Sequence, residues 1–227
     1  RLHDREKLAT LFWPDASPAL SKRYLRQTLW QLQVGLSHTA QNPRDQNEVR
    51  LLHVENAHIG LNPAMDYWLD IAVFEQAFAA VADEAGQELC EAQADGLRQA
   101  VQLYQGDLLE GWYQDWCIYE RERYQNIYLA MLDKLLSYSE AHQRYEAGVA
   151  YGEQILRYDH AREQTHRQLM RLHYQAGNRT AAIHQYETCV AALHKELDVG
   201  PARRTVALYR QICNEPIGVA PQLLHSN

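Results

Sequence analysis

The stretch from Leu132 to Leu193 constrains this chain more than any other, because it repeats itself at an offset of 34 residues. Leu132 pairs with His166, Leu135 with Leu169, Leu136 with Met170, Gln143 with Gly177, Gly148 with Ala182, Val149 with Ile183, Ile155 with Cys189 and Leu156 with Val190. One supersecondary unit is written twice. In the second copy Leu169, Met170 and His173 recur at helical spacing and Ala176-Gly177-Asn178 interrupts them. Ala182, Ile183, Tyr186, Cys189 and Val190 then resume the period on a second helix. Two antiparallel helices approach closely only where side chains are small, so Gly148 and Ala182 have a steric role.

The period and the small-residue position are those of tetratricopeptide repeats. Each such unit leaves an apolar face uncovered, so at least about three must stack, and further helices are expected on either side. Upstream, Asp115 is expected to cap a long helix running to Ala141, with Ile127, Met131, Leu132, Leu135 and Leu136 on one face. Before it, Phe74, Ala77, Phe78 and Val81 mark one helix. Leu97, Ala100, Val101 and Tyr104 mark another from about Glu88 to Tyr104, and a break follows at Gln105-Gly106-Asp107-Leu108-Leu109. Downstream, Leu197-Asp198-Val199-Gly200-Pro201 ends one helix and starts another carrying Val206, Leu208, Tyr209 and Ile212. Residues 63–213 therefore read as helix pairs, and 214–227 as a loose tail.

The first 62 residues are organised differently. Asp4 can cap a short helix with Leu8, Leu11 and Phe12 on its apolar face, stopped by Trp13-Pro14-Asp15. Ser17-Pro18 opens a second helix of about five turns, ending at Leu36. Its apolar stripe is Leu25, Leu29, Leu32 and Leu36; the 100° helical step puts Lys22, Arg23, Arg26, Gln27, Trp30 and Gln33 on the far side. After a polar loop from Ser37 to Gln46, Val49 to Val54, which includes Arg50, and His58 to Leu61 read as two strands joined through Glu55-Asn56-Ala57. Helix, turn, longer helix and hairpin in that order form the second half of a winged helix-turn-helix. The expected fold is mainly α: a partial winged helix-turn-helix followed by a tetratricopeptide-like helical array.

Charge follows the same division. The chain of 227 residues carries a net charge of -7, yet residues 1–62 sum to +2 and the remainder to -9. A weakly basic head precedes an acidic body. Hydrophobic residues make up 46%, ample for packed cores, while charges interrupt every long apolar run, so no membrane span or signal peptide is read and the cytoplasm is expected. Cys90, Cys117, Cys189 and Cys213 lie far apart with no CxxC pair, and buried reduced thiols are expected.

Catalytic signatures are absent: the chain has no GxxxxGK[ST], GxGxxG or GxSxG string, no HExxH and no Cys/His quartet. Neither an enzyme, a cofactor, a metal site nor a small-molecule substrate is expected. Trp13 and Trp68 are read as packed at the head's edge, Trp112 and Trp116 as core or capping residues. The Glu120-Arg121-Glu122-Arg123 run reads as a surface face.

Together these strings resemble bacterial transcriptional regulators that join a winged helix-turn-helix to a bacterial transcriptional activator domain, the antibiotic-regulatory-protein type. The resemblance rests on Arg5-Glu6-Lys7-Leu8-Ala9 with Leu11-Phe12-Trp13-Pro14-Asp15, Leu25-Arg26-Gln27 with Leu29, and Trp68-Leu69-Asp70 with Phe74-Glu75. It continues through Leu103-Tyr104-Gln105-Gly106-Asp107-Leu108-Leu109, Glu120 to Arg123, Leu169-Met170-Arg171-Leu172 with Gly177, Gln185-Tyr186-Glu187 and Val199-Gly200-Pro201. It implies a head that binds promoter DNA and a helical domain that contacts RNA polymerase and assembles the regulator, a homodimer being one such assembly.

Under that resemblance Lys22 and Arg23 neutralise phosphates, Arg26 or Gln27 reads base edges, and Arg50 in the wing meets the backbone. The chain departs from the family at Gln33, where an Arg is frequent, and at Trp30, which stands on the polar face. In the family a small sheet and a first helix precede the residues matched here, so the sequence reads as a fragment or processed chain, with Leu8, Leu11, Leu25 and Leu29 short of packing partners. Two alternatives stay open: the polar face of the second helix as a solvated surface, and the whole chain as a protein-interaction module without DNA binding of its own.

Overall fold

A computed structural model of the protein describes residues 2–37, 51–55 and 57–214. Contacts divide the chain into two units, Arg1–Leu69 and Asp70–Asn227. The expected tail beyond Asn214 and most of the expected 37–46 loop lie outside the described residues.

The first unit comprises β1 (His3–Asp4), α1 (Arg5–Phe12), α2 (Pro18–Ser37), β2 (Leu52–Glu55) and β3 (His58–Leu61). The strands form an antiparallel sheet in the order β1-β3-β2, with His3 and Val54 both opposite Ile59. A two-residue strand has no periodicity, so β1 was not legible as one. The Asp4 carboxylate accepts hydrogen bonds from the backbone N–H of Glu6 at 2.8 Å and Lys7 at 3.0 Å. Those bonds to the open end of α1, Lys7's foremost, hold its pKa below the ordinary value.

A small core of Ala9, Leu25 and Ile59, flanked by Leu8, Trp13 and Leu29, ties α1 and α2 to the sheet. Leu25 is thus buried, while Leu11, Phe12 and Leu32 remain 44%, 39% and 46% exposed. The expected apolar faces are therefore only half used. Ala9, too small to weigh in a hydrophobicity pattern, is the residue of α1 that reaches the core, and that rotation turns Leu11 outward.

The second unit is all helical among its described residues: α3 (Asp70–Ala79), a tight turn at Gly86–Glu88, α4 (Glu91–Leu103), α5 (Asp115–Ala141), α6 (Tyr145–Tyr158), α7 (Glu163–Gln175), α8 (Arg179–Leu197) and α9 (Arg203–Asn214). The repeat maps onto α5/α6 and α7/α8. Leu132, Leu135 and Leu136 are fully buried, as are Leu169 and Met170 at the matched positions. The two turns match in backbone as well: Gln143 and Gly177, 34 residues apart, both take positive φ, 56° and 79°. Gln143 does so without glycine's freedom, held by the turn in which the Arg144 N–H donates back to the Ser139 carbonyl at 2.8 Å, as Asn178 does to His173 in the other copy.

Helix approach is closest where side chains are missing. A Cβ on Gly148 would lie 2.8 Å from Leu172 Cδ1, and one on Gly152 would lie 2.5 Å from Leu169 Cδ2. Between the first helices of the two copies runs a polar ladder: Asp133 with Arg162, Ser137 with Gln168, and Glu140 with Arg171, the last through bonds of 2.6 and 3.1 Å. At the same interval of about 30 residues along both helices, these pairs show that α5 and α7 run parallel. The main core joins Phe74, Leu97 and Val101 to Tyr124, Met131, Leu135, Ile155 and Leu169. A second cluster of Met170, Ala182 and Ile212, with Tyr186 stacked on Tyr209 at 4.0 Å, closes the end under α9.

Several local expectations need correction. Asp115 is the first helical residue of α5 and the cap position is Gln114, whose side chain makes no capping bond. The break expected at Leu197 to Pro201 does end α8, and the residue closing it is Asp198 in the left-handed region at φ 52°. Cys117 and Cys189 are buried, but Cys90 is exposed and Cys213 only half-buried. Cys90 sits at the cap of α4, outside the apolar stripe that buries Ala94 and Leu97.

Arg121 belongs to no solvated face. Its guanidinium donates to the carbonyls of Leu108 at 3.2 Å, Leu109 at 2.9 Å and Trp112 at 3.1 Å, anchoring the loop before α5. Trp68 and Trp112 are 68% and 51% exposed, neither edge-packed nor core.

His166, opposite Leu132 in the repeat, is buried between the His160 carbonyl at 2.8 Å and Gln185 at 2.7 Å. Burial lowers its pKa and that of His173. Their neutral forms therefore stabilise the fold fully above the ordinary histidine value, and that stability is lost as pH falls below about 6.5. Denaturation midpoints compared at pH 7.5 and 5.5 will fall with acid, and His166→Leu, which installs the other copy's residue, will shrink the fall.

Gly86 supplies a second check. A Cβ there would lie 2.5 Å from the Lys134 carbonyl, whereas Gly96 in α4 meets nothing within 4 Å. Gly86→Ala is expected to cost about 1–3 kcal/mol in urea melts, and Gly96→Ala to gain about 0.5–1 kcal/mol.

Candidate nucleic-acid interface

The longer helix of the first unit presents the polar surface that its sequence specifies. Pro18 sets the first turn with φ already helical, and 20 residues carry α2 through five turns and more. Leu25 fixes the inward direction at 5% exposure. Measured from Leu25 by the 100° step, Arg23, Gln27 and Trp30 point most directly away from the core and Arg26 points sideways, while Lys22, about 60° from Leu25, lies on the flank and not on the far side. Lys22, Arg23, Arg26 and Gln27 are all exposed, and Trp30 is 64% exposed. Gln33 is half-buried, on the flank. Arg50 lies outside the described residues.

Lys22 and Arg26 are held by contacts among the described residues. Lys22 forms an ion pair with Glu6 of α1, both side chains being largely exposed. The Nε of Arg26 donates to the Lys22 carbonyl at 3.4 Å, which lays the guanidinium stem back along the helix. Arg23 has no ion-pair partner among the described residues. Glu6 was missed as a member of this surface, because the 16 residues separating it from Lys22 are bridged only when α1 docks on α2. Trp13 sits 5.8 Å from the Tyr24 ring, bracing the turn between the two helices. Gln27 shares a shallow hollow with Trp13, Tyr24, Thr28 and Gln31.

In the same unit, the β2–β3 hairpin does not alternate in exposure: Leu52 is buried and His53, Val54 and Glu55 are exposed on β2, while His58 is exposed and Ile59 and Gly60 are buried on β3. His53 lies 3.7 Å from Glu55. A helix with a cationic outer face, one short helix behind it and a hairpin in the same unit can lie along a duplex, offering guanidinium groups to phosphates or base edges. The remaining chemistry is sparse. Among the described residues no three His, Cys, Asp or Glu side chains gather to hold a metal, and no helix is long and apolar enough to cross a membrane.

The bacterial transcriptional activator domain matches residues 69–213, well over half of the chain. The chain belongs to that family. Its members' domain thus coincides with the helix pairs from α3 to α9. Among solved structures the chain is similar to Mycobacterium tuberculosis EmbR, determined in complex with a low-affinity phosphopeptide, at 19% identity and a TM-score of 0.60. The likeness covers 94% of this chain and 55% of that one, so the chain spans about half of EmbR's length and shares its fold over that half. No curated protein sequence matches.

The inward and outward faces of α2 can be separated by stability alone. Leu25→Ala is expected to cost about 2–4 kcal/mol in a chemical denaturation of the head, and Trp30→Ala to stay within about 0.5 kcal/mol.

Proposed function

We propose that the chain is a DNA-binding transcriptional regulator that acts by binding, without catalysis, in the cytoplasm. In this reading α2 enters the major groove of promoter DNA and the hairpin of β2 and β3 follows the backbone. The observation that carries it is the outer face of α2, where Arg23, Arg26, Gln27 and Trp30 stand exposed on a helix anchored by Leu25. Arg23 neutralises phosphate, Lys22 does so once released from Glu6, and Arg26 or Gln27 reads a base edge, Arg suiting guanine and Gln adenine. Trp30 offers an apolar plane where a thymine methyl passes. Arg50 would add a backbone contact from the wing.

The activator-domain helices, by the same reading, assemble the regulator and contact RNA polymerase. Support comes from the aromatics around the start of α5: Trp112, Tyr113 and Tyr119 are 51%, 81% and 72% exposed, more apolar surface than a helical array needs for itself. The same aromatics favour the second reading, a protein-interaction module without DNA binding of its own.

DNA binding separates the two. Fluorescence anisotropy on promoter fragments, taken as a function of salt, will show a steep loss of affinity between about 50 and 200 mM salt for the parent chain. Arg23→Ala will weaken all fragments alike and lower the salt slope by about one, whereas Arg26→Ala will cost about 1–3 kcal/mol and relax preference at one base pair. Both variants binding as well as the parent would leave only the interaction module.

A further inference from the structure

The second unit contains a cavity that the reading proposed above gives no role. It has a volume of about 420 Å³ and opens between the first turn of α3, the end of α4 and the loop that follows. Its floor is Phe74, Tyr104 and Tyr124, with ring centroids 6.1 Å apart from Phe74 to each tyrosine; Tyr104 is stacked behind on Tyr128 at 4.3 Å. Ile71 and Leu109, 38% and 41% exposed, form apolar lips. Asp70, Asp107 and Glu110 are the charged residues of the lining, and no Lys or Arg is part of it.

The cavity is built in advance of any ligand. Leu109 at its lip holds a positive φ of 52°, strained for a leucine, and Arg121 from α5 locks that turn through three carbonyls. Tyr124 donates to Glu75 at 3.0 Å and Tyr104 to Asp107 at 3.3 Å, which fixes both rings. Arg121 lies 3.8 Å from Asp107 and offsets part of that charge, while Asp70 and Glu110 have no ion-pair partner among the described residues. Burial keeps both tyrosine phenols above their ordinary pKa. The charged side chains of the lining are therefore carboxylates, while Arg121 beside Asp107 and Arg123, 5.0 Å over the Tyr124 ring, belong to the surroundings and leave Asp70 and Glu110 to set the charge at the mouth.

Size, floor and charge together select an occupant. The volume falls in the range of small-molecule sites, about 300–1,000 Å³. An aromatic floor attracts a flat apolar body or a cation over its ring faces. Uncompensated carboxylates at the mouth repel an anion and draw a protonated amine. We propose that this cavity binds a small organic cation, a protonated amine on an aromatic or compact apolar body, and that it is the ligand-input site of the helical domain.

Phenethylammonium is the probe, with 3-phenylpropionate as its anionic counterpart of similar shape, each titrated into the full chain and followed by ¹H–¹⁵N spectra. The amine is expected to give saturable shifts confined to residues around Ile71, Phe74 and 104–110, weakening as salt is added; the carboxylate is expected to give none. An Asp70→Asn/Glu110→Gln double variant keeps the side-chain shapes, and the new asparagine's amide oxygen can still accept from the Ile71 N–H, which lies 2.7 Å from the Asp70 carboxylate. It should unfold cooperatively with a midpoint only slightly below the parent's, because the Asp70 charge in the first turn of α3 is lost, and bind the amine about fivefold more weakly. Ile71→Lys, which brings a cation to the lip, should abolish amine binding. Equal binding of amine and carboxylate, shifts scattered over the chain, absent binding, or unchanged affinity in the double variant would each overturn the proposal.

Discussion

The helical half of this protein depends on how near two helices can come. Gly148 and Gly152 let the body of α7 press onto α6 so tightly that Leu172 and Leu169 occupy the space where a β-carbon would be. In the second copy Ala182, completely buried, takes the place of Gly148. Close approach makes each added pair a layer on the one before, and the core runs without interruption from Phe74 to Leu172. Gly86, seated on the backbone of Lys134, extends the same rule to the turn that precedes α4.

Polar groups set the register of those layers. The Asp133–Arg162 and Glu140–Arg171 pairs cross from one repeat to the next, partly out of water, where a one-turn slip leaves charges unpaired. At the start of the stack Glu91 receives Tyr138, Arg144 and Arg98, and its pKa is brought to about 2, chiefly by the Tyr138 hydroxyl. A single carboxylate so held ties α4 to the turn between α5 and α6. Arg121 works differently, directing its donors at carbonyls so that an irregular loop keeps one shape. That loop lines the cavity beside it through Leu108 and Leu109.

The head works with far less. Among the described residues its apolar core is a cluster of Ala9, Leu25 and Ile59, and an anionic cap at Asp4 holds the short α1 in place. With so little interior, most of α2 is surface, and its outward residues are available to a partner by default. The Lys22–Glu6 pair is exposed and therefore easily exchanged for a phosphate.

Periodicity alone determined the helix pairs, the 34-residue repeat, the two turns with Gln143 and Gly177, and which side of α2 faces out, because all of these follow from a fixed angular step along one segment. It reached only part of the rest. The strand at His3–Asp4 is too short to carry a pattern, Ala9 too small to register as apolar, and Gly152 reads as a helix weakness until Leu169 is seen in its place. Tertiary structure decided which distant groups meet: Glu6 with Lys22, Arg121 with the loop carbonyls, and Phe74, Tyr104 and Tyr124 around one cavity. Such meetings depend on how separate elements dock, and docking is set by the summed fit of many side chains, which no single stretch of sequence contains.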